Sequence, residues 1–157
     1  MAVSPIPEGY HNLQIYLAVE DASKAIDFYK EAFGAEETIR MPGPDGSVAH
    51  AELQVGDSKL MLSDPFPHSS VRPPSERGGC TASVFMYVDD ADAVFDRAQA
   101  AGATVTSPLE NMFWGDRFGS LTDPFGHVWS VATHIEDVPE DEMAERAASA
   151  MAEMGAS

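Results

Sequence analysis

His50 and Glu52 stand two residues apart in Val48–Val55, a segment whose apolar and polar residues alternate as in a β-strand. Side chains alternate across a strand, so such a pair shares one face and can exchange a hydrogen bond or a proton. Partial burial moves either pKa toward neutrality, where acid–base catalysis operates. The plainer role is a buried polar pair that orders the sheet. Arg117 is one of nine cations set against 26 carboxylates, and its guanidinium suits a ligand carboxylate, phosphate or enolate oxygen, or a salt bridge to Glu52 or Asp116. Tyr16, Phe85, Tyr87, Phe113 and Trp114 offer rings to a planar ligand, or to ordinary packing. Cys80 is the single cysteine, with no histidine at a readable sequence distance and no partner for an intrachain disulfide. His127 reads as a turn histidine with a structural hydrogen bond, and His11 and His68 as loop residues.

The elements that must position these groups come as a repeat. Gln14–Val19 reads as a strand, Asp21 as a helix cap, and Ala22, Ala25, Ile26, Tyr29 and Phe33 as a helix face closed by Gly34. The pattern returns with Ser83–Val88 as a strand, Asp90 as a cap, and Ala91, Val94, Phe95, Ala98 and Ala101 as a helix face ending at Gly102. Strand-like segments follow each helix: Glu36–Arg40, Val48–Val55 and Lys59–Ser63, then Ala103–Ser107, Asp116–Thr122 and His127–Thr133. Each half therefore reads β-α-β-β-β. Between them Pro65–Gly79 is rich in proline, glycine and serine, a composition that resists regular structure and suits a linker or a lid. Pro139 can open a terminal helix whose acidic first turn suits the helix dipole.

A length of 157 residues with 44% hydrophobic residues suits one domain with one core, spanning 1–157. The net charge of −17 repels phosphate backbones and anionic lipid headgroups, which argues against nucleic-acid and membrane partners. Met1–Pro7 lacks the basic start and apolar core of a signal peptide, and no apolar run approaches the roughly 18 residues of a membrane span. The expectation is a soluble, cytoplasmic protein.

The tandem repeat, Val-x-Asp opening each helix, Phe28-Tyr29 and Phe33-Gly34 near the end of the first helix, and Asp123-Pro-Phe-Gly-His127 before the last strand together resemble the vicinal oxygen chelate superfamily. That group comprises the glyoxalases, bleomycin-resistance proteins and extradiol dioxygenases. The resemblance spans roughly Tyr10 to His134, and Gly115-Asp-Arg-Phe-Gly119 with Asp123–Trp129 is more similar to the PhnB-like branch. It implies an α+β fold of two βαβββ modules, about 10–64 and 80–137, with a linker or lid at 65–79 and a terminal helix at about 139–154. Their mixed sheets would curl into a cup with the helices outside and the ligand inside, often in a homodimer. Metal-bearing members draw one ligand from the first and one from the last strand of each module. Those positions fall here on Gln14, Met61, Ser83 and Ser130: an amide, a thioether and two hydroxyls, a poor set for a hard divalent ion. No metal and no cofactor are therefore expected.

Inside such a cup, residues of Gln14's parity, Tyr16 included, face inward, followed by Ser83, Phe85 and Tyr87. With Gly56-Asp57 as a two-residue turn, Glu52 sits opposite Met61 and His50 opposite Ser63, on the cup face. The same count across Asp123–Gly126 pairs Gly119 with Ser130 and Arg117 with Ala132, turning Arg117 inward unless a bulge reverses it. Trp129 has the opposite parity and belongs beneath a helix. The expected catalytic candidates are Glu52, His50 and Arg117. The expected ligand contacts are Gln14, Tyr16, Met61, Ser63, Ser83, Phe85, Tyr87, Trp114 and Ser130. Three functions fit: a metal-independent protein that binds or sequesters a planar or carbonyl-bearing molecule; a metal-free isomerase or lyase in which Glu52 removes a proton, His50 returns it and Arg117 steadies the enolate; or a divalent-metal enzyme with ligands displaced toward His50 and Glu52.

Overall fold

Each principal helix starts where an aspartate can satisfy its first free N–H groups. Asp21 accepts from the Lys24 amide at 3.2 Å and Asp90 from the Ala93 amide at 3.0 Å. A second cap reaches in from the last strand region of the same module: Asp64 Oδ1 accepts from the Ala22 amide, and Thr133 Oγ1 from the Ala91 amide, each at 2.9 Å. Both helices end at a glycine in the left-handed region, Gly34 and Gly102.

The computed structural model describes residues 3–155. The first module runs β1 (Ile15–Ala18), α1 (Ala22–Phe33), β2 (Glu36–Pro42), β3 (Val48–Val55) and β4 (Ser58–Ser63). A single helical turn, α2 (Pro74–Arg77), follows. The second module runs β5 (Ser83–Tyr87), α3 (Ala91–Ala101), β6 (Thr104–Asn111), β7 (Asp116–Thr122) and β8 (Val128–His134), and α4 (Glu140–Gly155) comes last. The α2 turn corrects the expectation of irregular chain across Pro65–Gly79: Pro74 occupies the first turn, where its missing N–H costs nothing.

Each module builds its own four-stranded mixed sheet, ordered β1-β4-β3-β2 and β5-β8-β7-β6. The β1/β4 and β5/β8 pairs are parallel and the rest antiparallel. The fold is thus α+β, two βαβββ units, as the repeat predicts. The resemblance implies helices outside one hollow, and here the arrangement differs. Leu17, Leu53 and Leu62 of the first sheet, Leu121, Trp129 and Val131 of the second, and residues of both α1 and α3 form one continuous core. That core lies on the helix side of both sheets, so the opposite sheet faces turn away from it and from each other.

The motifs that carry the family resemblance meet at the joint. Trp129 packs on Phe33 with ring centroids 4.4 Å apart and on Tyr29 at 5.2 Å, while Phe125 lies against Phe28 at 6.2 Å. At the centre is Asp123, 4% exposed. Its Oδ1 accepts from the Phe125 and His127 amides, both at 2.9 Å, and its Oδ2 from the Tyr29 hydroxyl at 2.7 Å and the Trp129 indole at 2.8 Å. One carboxylate shapes the β7–β8 turn and ties α1 of the first module to the second. Asp123→Ala strands these buried donors and should lower stability by about 3 kcal/mol or more, whereas Tyr29→Phe, which removes one donor, should cost about 1 kcal/mol. Both are read from urea-unfolding midpoints; an Asp123→Ala chain as stable as its parent contradicts this joint.

Candidate functional site

On the outward face of the first sheet the register sets Glu52 of β3 beside Met61 of β4, and Met61 beside Tyr16 of β1. Glu52 is 6% exposed and both oxygens are engaged. The Tyr10 hydroxyl donates to Oε2, and His50 Nε2–H donates to Oε1 at 3.0 Å. Burial pushes the Glu52 carboxyl up, but the hydrogen bonds from Tyr10 and His50 outweigh it and hold the group below the usual carboxylate range. Glu52 is therefore an anion at neutral pH. With Nε2 donating, Nδ1 of the His50 ring can accept from the Tyr16 hydroxyl, which lies 3.1 Å away. Gln14 Nε2 donates to the His11 carbonyl at 2.9 Å, and Ser63 is buried at the end of β4.

The second face is aromatic. Phe85 and Tyr87 project from β5, 48% and 63% exposed, with centroids 5.1 Å apart. Phe85 stacks on Phe118 of β7 at 5.7 Å, and Trp114 meets Phe118 edge-on at 5.7 Å. Beside the rings lies Asp116, 3% exposed. It accepts from Tyr87 at 2.9 Å, the Trp114 indole at 3.1 Å and His134 Nδ1 at 2.8 Å, while His134 Nε2 reaches Asp137 at 3.0 Å. Burial pushes the Asp116 carboxyl up; the bonds from His134, Tyr87 and Trp114 outweigh it and leave it below the usual range. Hydrogen bonds to Asp116 and then Asp137 raise the His134 imidazole above its ordinary value. Ser130 is buried behind the rings, 3.4 Å from the Ser120 hydroxyl, and Ser83 opens β5 in an exposed position.

Arg117 does not join this face. The turn takes in one residue more than the Pro-Gly count assumes, because the Asp123 side chain holds the His127 amide and the Asp123 amide donates to the His127 carbonyl. The register becomes Ser120 with Ser130 and Arg117 with Thr133, which inverts the parity of β7. Arg117 instead clasps Asp92 of α3 at 2.5 and 2.6 Å. Gly119 turns the same way, where a Cβ would stand 2.6 Å from the Phe95 ring. The inversion brings Asp116 and Phe118 onto the aromatic face; the sequence points to Asp116 only as a possible partner of Arg117 and does not single out Phe118. Tyr10 and His134 are likewise new; Tyr10 lies outside any strand and carries no periodic signal. The same turn sets His127 Nδ1 3.7 Å from Cys80 Sγ, a proximity that sequence spacing does not reveal, and His127 Nε2 donates to the Ala18 carbonyl at 2.9 Å.

The first face thus gathers Gln14, Tyr16, His50, Glu52, Met61 and Ser63, and the second Ser83, Phe85, Tyr87, Trp114 and Ser130; one chain does not bring the two sets together. A hollow of about 860 Å³ runs along the free edge of β5 past Lys59, Val94 and Arg97. It touches the aromatic face at Phe85 and Tyr87 and does not reach Glu52.

A model of the glyoxalase/bleomycin resistance protein/dioxygenase superfamily matches residues 11–131. The chain belongs to that superfamily. The protein Mb0911c of Mycobacterium bovis is 44% identical over 134 residues, covering 83% of this chain and 88% of that protein. Among solved structures, TioX from Micromonospora sp. ML1 aligns with a TM-score of 0.64 at 31% identity, over 80% of this chain and 99% of TioX. TnmS3, an antibiotic-binding protein from Streptomyces sp. CB03234, aligns with a TM-score of 0.61 at 29% identity, over 85% of this chain and 98% of TnmS3.

Gln14, Met61, Ser83 and Ser130, the positions that the resemblance assigns to a metal, form a poor donor set for a hard divalent ion. Gln14 is turned to a backbone carbonyl, Met61 is a thioether, and Ser83 and Ser130 are neutral hydroxyls. Nor does His50 with Glu52 gain a third ligand: among the described residues no three histidine, cysteine, aspartate or glutamate side chains gather in a way that could hold a metal. No helix of the described residues is long and apolar enough to cross a membrane.

The His134 cluster makes a prediction for pH dependence. A group whose folded-state pKa is raised stabilises the fold fully below its unfolded value and loses that contribution as pH rises through the folded value. The His134 contribution should therefore be complete below 6.5, its ordinary value, and fade above it. Urea midpoints over a pH series should show this decline, and His134→Gln should remove it; identical pH profiles for the two proteins contradict the cluster's role.

Proposed function

We propose that the protein binds a small planar molecule without a metal, laying it against the Phe85, Tyr87, Phe118 and Trp114 rings of the second face. The observation that carries this reading is the ring row itself: stacked and edge-on neighbours, Phe85 and Tyr87 exposed, with Tyr87 and Trp114 both held by the buried Asp116. Orienting rings through a satisfied buried carboxylate pre-organises a surface and lowers the cost of ordering it on binding. The similarity to TnmS3, an antibiotic-binding protein, supports the same class of ligand. The acid–base alternative with Glu52 as the free base is less well supported, because neither Glu52 oxygen is open to a ligand.

In this reading a second copy completes the site. Each chain offers one polar and one aromatic face, pointing apart, and a twofold pairing would set the Tyr16 face of one protomer over the Phe85 face of its partner and repeat the contact in reverse. Exposed rings on both faces support such a pairing, since apolar patches of this kind mark interaction surfaces. A cytoplasmic location belongs to the same proposal, with Cys80 as a free thiol.

A thermal-shift screen with planar antibiotics and aromatic metabolites tests the binding reading; a ligand at about 100 times its Kd should stabilise the chain by about 2.7 kcal/mol. Phe85→Ala should weaken binding by roughly three- to tenfold, the worth of one stacked ring. Sedimentation should show a dimer. No stabilising planar ligand, or affinity untouched by Phe85→Ala, contradicts the aromatic site, and a monomer contradicts the shared one.

A further inference from the structure

The chain has four tyrosines, and their hydroxyls divide by partner. Tyr10 donates to Glu52, Tyr29 to Asp123 at 2.7 Å and Tyr87 to Asp116 at 2.9 Å. A carboxylate accepts such a bond without removing the proton, and all three phenols are held above the ordinary range: Tyr29 by burial first and Asp123 second, Tyr10 and Tyr87 by the hydrogen bond first. Tyr16 alone meets an imidazole nitrogen, His50 Nδ1 at 3.1 Å. That nitrogen is open to accept because Nε2 is committed to Glu52.

A hydroxyl, an imidazole and a carboxylate in sequence form the arrangement that turns a side-chain oxygen into a base or nucleophile: the ring takes the proton and the carboxylate stabilises the imidazolium. Tyr10, on the other oxygen of Glu52, fixes the carboxylate. Tyr16 itself is 42% exposed, on the open face.

We propose that Tyr16 is the reactive hydroxyl of the first face, taking a proton from a ligand with an acidic hydrogen, a phenol or a carbon acid beside a carbonyl, as its own proton passes to His50 Nδ1, with Glu52 and Tyr10 as positioning residues. The inference deepens the small-molecule reading and rests on it. In the step the ligand's bond to hydrogen breaks and a new O–H bond forms at Tyr16, while the original phenol O–H breaks and an N–H forms at His50. The ligand is left as its anion, and return of the proton to a different ligand atom isomerises it with no net oxidation.

Reactivity at Tyr16 can be read without the natural ligand. In 4-nitrophenyl acetate the Tyr16 oxygen would bond to the acetyl carbon, nitrophenolate would leave, and the phenol proton would go to His50. Acetylated peptides of the full chain, quantified by mass spectrometry, compare Tyr16 with the more exposed Tyr87 in the same molecule. Tyr16 should react on the order of 10²-fold faster. His50→Gln should abolish the advantage. Glu52→Gln, which keeps an acceptor oxygen but not the charge, should reduce it, whereas a purely structural Glu52 would be replaced by glutamine without loss. Tyr16 reacting no faster than Tyr87 in the unaltered protein overturns the proposal, whether or not the variants fold. An advantage retained in His50→Gln overturns it too, as does nitrophenol release undiminished in Tyr16→Phe, which would place the nucleophile on His50. Ordinary Tyr16 reactivity alongside ligand-induced stabilisation removes this inference and leaves the binding reading intact.

Discussion

The Asp123 carboxylate is buried where the two modules meet, and it accepts from two backbone amides, a phenol and an indole. A buried carboxylate is tolerated only when its oxygens are satisfied, so this group fixes the positions of everything that donates to it. The amides fix the length of the β7–β8 turn, the Trp129 indole fixes the helix side of the second sheet, and the Tyr29 hydroxyl brings in α1 from the first module. Turn length then sets strand parity. Asp116 and Phe118 face outward with the aromatic row and Arg117 faces α3 because Asp123 draws His127 into the turn. The joint that holds the modules together therefore also decides which side chains the second face displays.

A shared core on the helix side of both sheets leaves two outward faces with different chemistry. Each is organised by its own buried carboxylate, and each carboxylate holds rings: Glu52 holds Tyr10 and, through His50, Tyr16; Asp116 holds Tyr87, Trp114 and His134. The resulting histidines differ. His50 lies between a carboxylate and a hydroxyl and is suited to pass a proton, whereas His134 lies between two carboxylates and is suited to hold one. In a chain with a net charge of −17, the placement of a few buried anions, rather than the general excess of charge, gives each face its character.

Much of this was legible in the sequence, for physical reasons that differ by element. The helices were readable because Asp21 and Asp90 cap and Gly34 and Gly102 terminate them, all local events. The parity of the first sheet was readable because Gly56-Asp57 makes a turn of fixed length, which sets Glu52 against Met61. In the second sheet the same counting failed at Asp123, whose side chain adds a residue to the turn through bonds made partly to Tyr29, far away in sequence. Arg117 was misplaced for that reason, and the outward placement of Asp116 and Phe118 was missed. Tyr10 reaches Glu52 from a segment outside any strand, where no periodicity points to it. That the helices lie between the modules rather than around a common hollow follows from the packing of Trp129 on Phe33 and Tyr29, a tertiary choice invisible to local pattern.

The central claim is that small molecules are held on the outward faces of the sheets and not in the joint between the modules. The two tryptophans report on these places separately, because Trp114 donates to Asp116 on the aromatic face and Trp129 to Asp123 in the core. The most direct measurement is a ¹H–¹⁵N NMR titration of the two indole N–H groups with a ligand that stabilises the chain. A shift of the Trp114 signal with Trp129 unmoved is the expected result; a shift of Trp129 alone, or of neither, contradicts the account.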